Sequence, residues 1–164
     1  MPTVESSIRL RAARLDDSRR VWEWRNEPGM RQACFNTDPI PFDAHDAWFA
    51  RTLGDPARRL FVADAADGTP VGYLRFDETA STAEISVCVD PRFRGRGCGP
   101  AVIRAGVQAL LSERPDLVPV ALVRTDNVAS ARAFASAGFV PVRELSIRGV
   151  SAVEMRLARC GDEG

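Results

Sequence analysis

The feature that most constrains the fold is a glycine-rich turn that joins an apolar strand pattern to an apolar helix pattern within residues 87–107. The turn reads Arg94-Gly95-Arg96-Gly97-Cys98-Gly99 and fits the pattern R/Q-x-x-G-x-G/A. Because glycine has no Cβ, it permits both a tight turn and the close approach of an anion to the backbone. At a helix N-terminus, successive N–H groups point at such an anion. The segment predicts a phosphate-binding loop, although turns also use glycine for steric reasons alone.

Two better-known phosphate motifs are excluded by the same residues. The turn lacks the G-K-S/T ending of a P-loop, and it lacks G-x-G-x-x-G with a later ribose-binding acid. All 22 basic residues are arginine, which also excludes a lysine Schiff base and a P-loop lysine.

The charge balance restricts the partners. Twenty-two acidic residues match the 22 arginines, so no net field would hold the protein on nucleic acid or on an anionic membrane. The N-terminus lacks the apolar core of a signal peptide, and no apolar run is long enough to cross a bilayer. We therefore expect a cytoplasmic protein with neither a nucleic-acid nor a membrane partner.

The cysteine spacing argues against a metal centre. Cys34, Cys88, Cys98 and Cys160 are widely separated with no C-x-x-C pair, and His45 is the only histidine. This pattern fits neither a zinc site nor a disulfide framework. Reduced thiols and no metal are expected.

The length predicts a single domain over residues 1–164, with an ordered core over 6–158. The first third predicts a strand over 8–12, a helix capped by Asp16 or Asp17, and a second helix over 44–53 capped by Asp43. The first helix should stop near Pro28. Residues 30–41 are predicted to be irregular, either as a substrate loop or as an ordinary connection.

The remainder predicts strands and two further helices. The expected elements are an antiparallel meander of strands over 60–65, 70–76 and 82–89, a helix over 101–113, a strand over 118–123, a helix over 127–137, and a hairpin of 140–147 and 150–157. Because the helix over 101–113 forms a crossover, the strand over 82–89 should run parallel to that over 118–123. The turn type at Arg148-Gly149 stays open.

A second motif follows the glycine-rich turn. Asn127, Ser130, Phe134 and Gly138-Phe139 fit N-x-x-S-x-x-x-Y/F-x-x-x-G-F. The two motifs, in this order and with a strand between them, resemble those of the GNAT superfamily of acyl-CoA-dependent N-acyltransferases. The resemblance extends over most of the chain. It implies an α/β fold with a mixed, mostly antiparallel sheet, about four flanking helices and a splayed parallel strand pair at the cofactor site.

The resemblance implies that acetyl-CoA is the cosubstrate and assigns its contacts. Val87 and Val89 would offer backbone groups to the pantetheine and the thioester carbonyl, and Asn127 and Ser130 would contact the pantetheine or the far side of coenzyme A. The pyrophosphate would bind Arg94, Gly95, Arg96, Gly97, Cys98 and Gly99.

Two residues depart from the family pattern. Phe134 stands where many relatives place a tyrosine that protonates the departing thiolate, and a phenyl ring cannot donate. Pro100 lacks an N–H group where relatives have one, although proline suits the first turn of a helix.

Candidates for the catalytic base are few. Glu84 lies on the strand that leads to the thioester, from which it could reach an amine directly or through one water. An exposed glutamate on a strand is the alternative. Asp77 and Glu78 rank next. His45 has the most convenient ordinary pKa, about 6.5, and is a candidate base or substrate ligand, although a structural histidine is as compatible with the sequence.

The N-terminal third carries the information on the acceptor. The pattern W-R-N-x-x-x-x-R through Arg25 and Arg31, with Phe35, His45 and Trp48 after it, resembles GNAT enzymes that acetylate UDP-linked amino sugars in the pseudaminic acid pathway. Ribosomal-protein N-terminal acetyltransferases share a vaguer version. The resemblance implies that Arg25 and His45 bind the diphosphate or the sugar of the acceptor and that Trp48 or Phe35 stacks on its base. Arg31 and Asp77 are further candidates for binding the acceptor. Core tryptophans are the alternative.

The predicted function is transfer of an acetyl group from acetyl-CoA to a primary amine of a nucleotide-linked amino sugar, by direct aminolysis of the thioester. A protein N-terminal acetyltransferase and a non-catalytic acyl-CoA-binding protein are the alternatives. The partner is therefore a small-molecule amine, and a homodimer is left open.

Overall fold

The structure is a computed structural model that describes residues 8–159. Residues 6 and 7 of the predicted core, and Cys160, lie outside the described residues. A seven-stranded sheet has the order β1-β2-β3-β4-β5-β7-β6. The strands are β1 (Arg9–Ala12), β2 (Arg58–Asp64), β3 (Pro70–Glu78), β4 (Thr82–Val89), β5 (Val118–Arg124), β6 (Phe139–Ile147) and β7 (Val150–Leu157). The described helices are α1 (Ser18–Asn26), α2 (Pro28–Ala33), α3 (Phe42–Leu53), α4 (Cys98–Glu113) and α5 (Val128–Ser136).

The sheet is mixed, as predicted. The β2–β3–β4 meander and the β6–β7 hairpin are antiparallel, whereas β4 and β5 run parallel. The parallel pairing covers Thr82↔Val118 to Glu84↔Val120 and does not continue beyond it. The prediction of a parallel pair that splays is therefore confirmed.

Helices cover both faces of the sheet. On one face, α4 and α5 pack against a core that includes Leu74, Val102 and Phe139. Gly106 permits this close packing, because a Cβ there would lie 2.7 Å from Leu74 Cδ2. On the other face, α1 and α3 pack against a smaller core around Val21. Burial of these side chains on both faces fixes the position of the two strands that splay apart.

The N-terminal helices differ from the prediction in detail. Residues 28–33 form α2, where an irregular segment was expected from residue 30 onward. Glu27 explains the difference, since its carboxylate accepts the N–H groups of Gly29 at 3.0 Å and Met30 at 2.9 Å. Pro28 occupies the first helical position, where its missing N–H group costs nothing. A proline interpreted as a stop thus also begins the next helix.

The predicted caps of the other two helices have different outcomes: Asp17 occupies the N-cap position of α1 but makes no side-chain capping bond to that helix, whereas Asp43 is not the cap of α3. Asp17 accepts the N–H of Arg14 and a paired contact from Arg11, so its carboxylate stabilises a 3₁₀ turn before α1. Helix α3 begins at Phe42 with Pro41 as its cap, and Asp43 lies inside the helix.

The backbone angles identify the type of the turn between β6 and β7. Arg148 and Gly149 both have positive φ, 51° and 78°, as a two-residue type I′ turn requires.

Candidate functional site

A cleft of about 860 Å³ opens where β4 and β5 separate. One side of the cleft is lined by α4 and α5, and the opposite side by α2 and the residues after it. It therefore passes through the sheet. Ten of the predicted site residues line it: Glu84, Val87, Val89, Arg94, Gly95, Gly97, Gly99, Asn127, Ser130 and Phe134.

The edge of β4 that faces the cleft has free backbone groups. The N–H of Asp90 donates to Val71 O at 2.8 Å, and the N–H of Val118 donates to Ser81 O at 3.0 Å. Backbone groups of an antiparallel strand alternate in direction, so even-numbered residues of β4 point to β3 and odd-numbered ones to β5. Beyond Glu84, where β5 has diverged, Val87 and Val89 therefore present unpaired N–H and C=O groups to the gap.

The glycine-rich turn leads directly into α4. Gly97 is the N-cap in the left-handed region, with φ 76°, and Gly95 has φ 75°. The first N–H groups of α4 have no partner within the helix, and the helix dipole adds positive potential there. Cys98 is buried, so only its backbone can contribute, and Arg96 lies outside the cleft lining. The backbone N–H groups of the turn, rather than every side chain of the motif, are therefore the groups placed to receive an anion.

Arg94 has a partner that the sequence did not indicate. Its Nη2 donates to Glu27 Oε2 at 2.9 Å, across the cleft from the turn. Partial burial opposes ionisation of Glu27, but the hydrogen bonds from Arg94, Gly29 and Met30 outweigh it and lower the pKa of the carboxyl. The guanidinium predicted to bind pyrophosphate is thus bound to α2.

The second motif lies on the same side of the cleft as α4. Asn127 caps α5, with its side-chain oxygen accepting the Ser130 N–H at 3.2 Å. Phe134 lines the cleft and packs edge-on against Phe139, with ring centroids 5.1 Å apart. Asn127 therefore builds the helix start as well as lining the cleft.

Glu84 lies where the strands begin to separate, half-buried and in the cleft lining. Burial raises its pKa, and the charge of Asp77, its cross-strand partner, raises it further, while Arg75 opposes both. Asp77 is paired with Arg75 at 3.1 Å and Arg58 at 3.5 Å and does not line the cleft. Of these two carboxylates, Glu84 is the one placed to accept a proton from a molecule in the cleft.

His45 is placed away from the cleft. The ring is 1% exposed, and Nε2 contacts Ser18 O at 2.9 Å, so that it joins α3 to α1. Burial lowers its pKa, and Arg25 lowers it further. A side chain so buried cannot touch a substrate, which corrects the expectation that His45 is a base or an acceptor ligand.

The other acceptor candidates lie behind the cleft lining. Arg25 and Arg75 each stack on Trp48, with guanidinium carbons 4.6 Å and 5.1 Å from the ring centroid. Arg31 donates to Asn26 O, at the end of α1, at 3.1 Å and to Thr37 O, in the segment after α2, at 3.5 Å. Neither Arg25 nor Arg31 has a carboxylate partner within residues 8–159, and Arg25 is the one that stacks on Trp48.

The other two tryptophans are structural. Trp22 Nε1 donates to Ile40 O at 2.6 Å, and Trp24 Nε1 donates to Asp90 at 3.0 Å. The alternative that they belong to the packing of α1 is confirmed.

Several lining residues were missed. Met30 and Cys34 fall in the segment that was left open as a substrate loop, but no motif distinguished them, whereas Phe35, a predicted stacking residue, lines the cleft beside them. Arg124, at the end of β5, donates to Cys34 O at 3.0 Å. The sequence feature that could have indicated Arg124 is a charged residue at the end of an apolar strand.

Residues 8–159 contain neither a metal-binding cluster nor a membrane-spanning helix. Within the described part of the chain, no three His, Cys, Asp or Glu side chains are grouped to hold a metal ion. No helix there is long and apolar enough to span a membrane.

Comparison with known proteins identifies the family. Residues 7–140 match the family described as an acetyltransferase (GNAT) domain. The N-alpha-acetyltransferase RimI of Mycobacterium tuberculosis is 30% identical over 138 residues, which cover 76% of this chain and 84% of that protein.

Two solved structures share the fold at lower identity. Spermidine N-acetyltransferase from Vibrio cholerae, in complex with CoA and spermine, superimposes with a TM-score of 0.84 at 20% identity, over 93% of this chain and 95% of that one. AAC(6')-Ib in complex with ribostamycin and coenzyme A gives 0.81 at 20% identity, over 93% and 94%. With the family match spanning most of the chain and a cleft through the sheet between β4 and β5, the chain belongs to the GNAT acetyltransferase family and is an N-acetyltransferase that uses acetyl-CoA to acetylate an amine.

Proposed function

We propose that the acceptor is a primary amine on a molecule that also carries an anionic group, and that this molecule is a nucleotide-linked amino sugar. The main observation behind the proposal is that the guanidinium of Arg25 forms no ion pair with a carboxylate of residues 8–159. It stacks on Trp48 and has no ion pair within residues 8–159, whereas Arg58 and Arg75 are both paired with Asp77. An arginine held by an aromatic ring and free of a carboxylate is suited to an incoming phosphate.

The positive charges of Arg25 and Arg124 favour binding of an anion on the acceptor side of the cleft. Burial raises the pKa of the Cys34 thiol, while the charges of Arg25 and Arg124 act in the opposite direction. Both guanidinium groups therefore act on a residue that lines the cleft. A charge-assisted hydrogen bond to phosphate contributes roughly 1.5 to 3 kcal/mol, which would favour a diphosphate acceptor over a polyamine.

Glu84 is the proposed base. It takes a proton from the acceptor ammonium, directly or through one water, and the free amine attacks the thioester carbonyl to form the C–N bond, after which the nitrogen releases its extra proton to solvent. Backbone N–H groups on the free edge of β4, at Val87 or Val89, would stabilise the oxyanion, each donor contributing roughly 3 kcal/mol. The C–S bond then breaks, and coenzyme A leaves as the thiolate without a proton from Phe134.

A protein N-terminus is the second candidate acceptor. It is favoured by the 30% identity to a protein named N-alpha-acetyltransferase RimI. A peptide N-terminus carries no phosphate, so Arg25 would have no anionic partner in it. The two candidates therefore differ in what they require of Arg25.

The test compares acceptors in one acetyl-CoA consumption assay. The acceptors are a UDP-4-amino sugar, N-terminal peptides of ribosomal proteins, and spermidine. We expect turnover of the sugar, with Arg25→Ala raising its KM about tenfold or more and leaving acetyl-CoA affinity unchanged. Arg19→Ala is the matched control, because Arg19 stacks on Phe42 from the same helix at 4.2 Å. Turnover of peptides or spermidine without the sugar would overturn the proposal.

A further inference from the structure

Helix α2 spans the cleft and is tied to the cofactor half of the site at both ends. At its N-terminus, Glu27 pairs with Arg94 of the glycine-rich turn at 2.9 Å. At its C-terminus, Cys34 O accepts from Arg124 of β5 at 3.0 Å. The helix thus forms a wall of the acceptor side whose position is set by two arginines of the other side.

Few buried contacts hold α2. None of its six residues is fully buried, although Met30 packs against the smaller core and Arg31 donates to Asn26 O. Gly29 packs directly under the ion pair, since a Cβ there would lie 3.1 Å from Glu27 Oε1 and 3.2 Å from Arg94 Nη1. The ion pair is therefore one of a small number of contacts that fix the N-terminal end of the helix.

Arg94 cannot satisfy Glu27 and a pyrophosphate equally well. The pair is partly exposed, with side chains 41% and 28% accessible, and such pairs are weak. A pyrophosphate carries more negative charge and offers several oxygen acceptors to one guanidinium, so its contacts are stronger. A carboxylate beside the bound phosphates would also repel them. Cofactor binding should then separate Arg94 from Glu27.

We propose that Glu27 is a positioning residue that holds α2 against the glycine-rich turn in the free protein and is displaced when acetyl-CoA takes Arg94, which loosens the acceptor wall. The inference rests on the assignment of the pyrophosphate to the Arg94 turn and does not depend on which amine is acetylated.

The experiment combines calorimetry of coenzyme A with hydrogen exchange of the 28–35 segment. In the parent protein, saturating coenzyme A should speed exchange in this segment, although bound ligands usually slow exchange. Glu27→Gln should bind coenzyme A about two- to five-fold more tightly, the value of an exposed ion pair. It should lower the KM for acetyl-CoA and leave kcat nearly unchanged. Glu23→Gln makes the same charge change on exposed α1 and should match the parent.

A second variant separates the ion pair from the helix cap. Arg94→Gln leaves the contacts of Glu27 with Gly29 and Met30 intact, so fast exchange of 28–35 without ligand in this variant would follow from the lost pair alone. In the Arg94→Gln background, Glu27→Gln should tighten coenzyme A binding less than in the parent, because only the repulsion between the carboxylate and the phosphates is then relieved.

The outcomes distinguish three failures. Gly97→Val with the parent's affinity for coenzyme A would refute the assignment of the turn itself, and Arg94→Gln with the parent's affinity would refute the contact of this guanidinium with the pyrophosphate. Weaker binding in Arg94→Gln, combined with unchanged affinity in Glu27→Gln or slower exchange of 28–35 on ligand addition, would refute the displacement of Glu27 alone.

Discussion

Replacing Glu84 with glutamine should inactivate the enzyme and stabilise the fold. A positioned general base contributes roughly 10²- to 10⁴-fold to the rate, and Gln cannot accept the amine's proton, so kcat/KM should fall by that factor. Since burial and Asp77 raise the pKa of Glu84, the acid limb of kcat/KM in the parent should lie above the usual range of glutamate and should disappear in the variant.

The gain in stability follows from the same carboxylate. Folding raises the pKa of Glu84, so the folded state binds this proton more tightly than the unfolded state, and stability falls as pH rises from the unfolded to the folded pKa. Like charges directly opposite on a sheet cost roughly 0.2 to 1 kcal/mol, and Glu84 faces Asp77. At neutral pH the variant should therefore unfold about 1 to 4 °C higher, given roughly 2 to 4 °C per kcal/mol for a domain of this size.

The assay is thermal unfolding with steady-state kinetics across pH. Glu144→Gln is the matched control, because Glu144 is an exposed glutamate on β6, and it should change neither quantity. A Glu84→Gln enzyme with near-parental kcat/KM would refute the role as base, and a lowered unfolding temperature would refute the electrostatic reasoning.

Two further predictions concern the cofactor walls. Gly97→Val should abolish coenzyme A binding, since the new side chain would extend from a left-handed cap into the cleft; Gly68→Val places the same residue at φ 87° in a turn that does not line the cleft, and should lose similar stability while keeping the affinity in calorimetry. Phe134→Tyr should keep or raise kcat if the hydroxyl reaches the thiolate, whereas a loss above tenfold without unfolding would show that tight packing against Phe139 admits no donor there.

The sheet and the cofactor side were predictable because their signals are local. The glycine-rich turn, the crossover helix and the strand over 118–123 together determine a parallel pair. Asn127 and Phe134 of the second motif also line the cleft, on the same side as α4. Each of these inferences depended only on residue types at fixed spacing along the chain.

The acceptor side was less predictable because its contacts are long-range. Arg94 meets Glu27 and Arg124 meets Cys34 across many residues of sequence, and no spacing rule reports such pairs. His45 shows the opposite error, because a residue that was predicted to be functional is buried. Its titration range suggested chemistry, but whether a histidine is exposed depends on how α1 packs on α3.

The separation of β4 and β5 creates two strand edges inside the protein. Exposed edges elsewhere invite pairing with other chains, but here helices on both faces prevent a foreign strand from entering. A slender, extended arm with amide groups, such as the pantetheine of coenzyme A, can still pair with the odd-numbered residues of β4, in the manner of an added strand. The cofactor would then complete the hydrogen bonding of the sheet. Without it, the backbone groups of β4 that face the gap beyond Glu84 would have no strand to pair with.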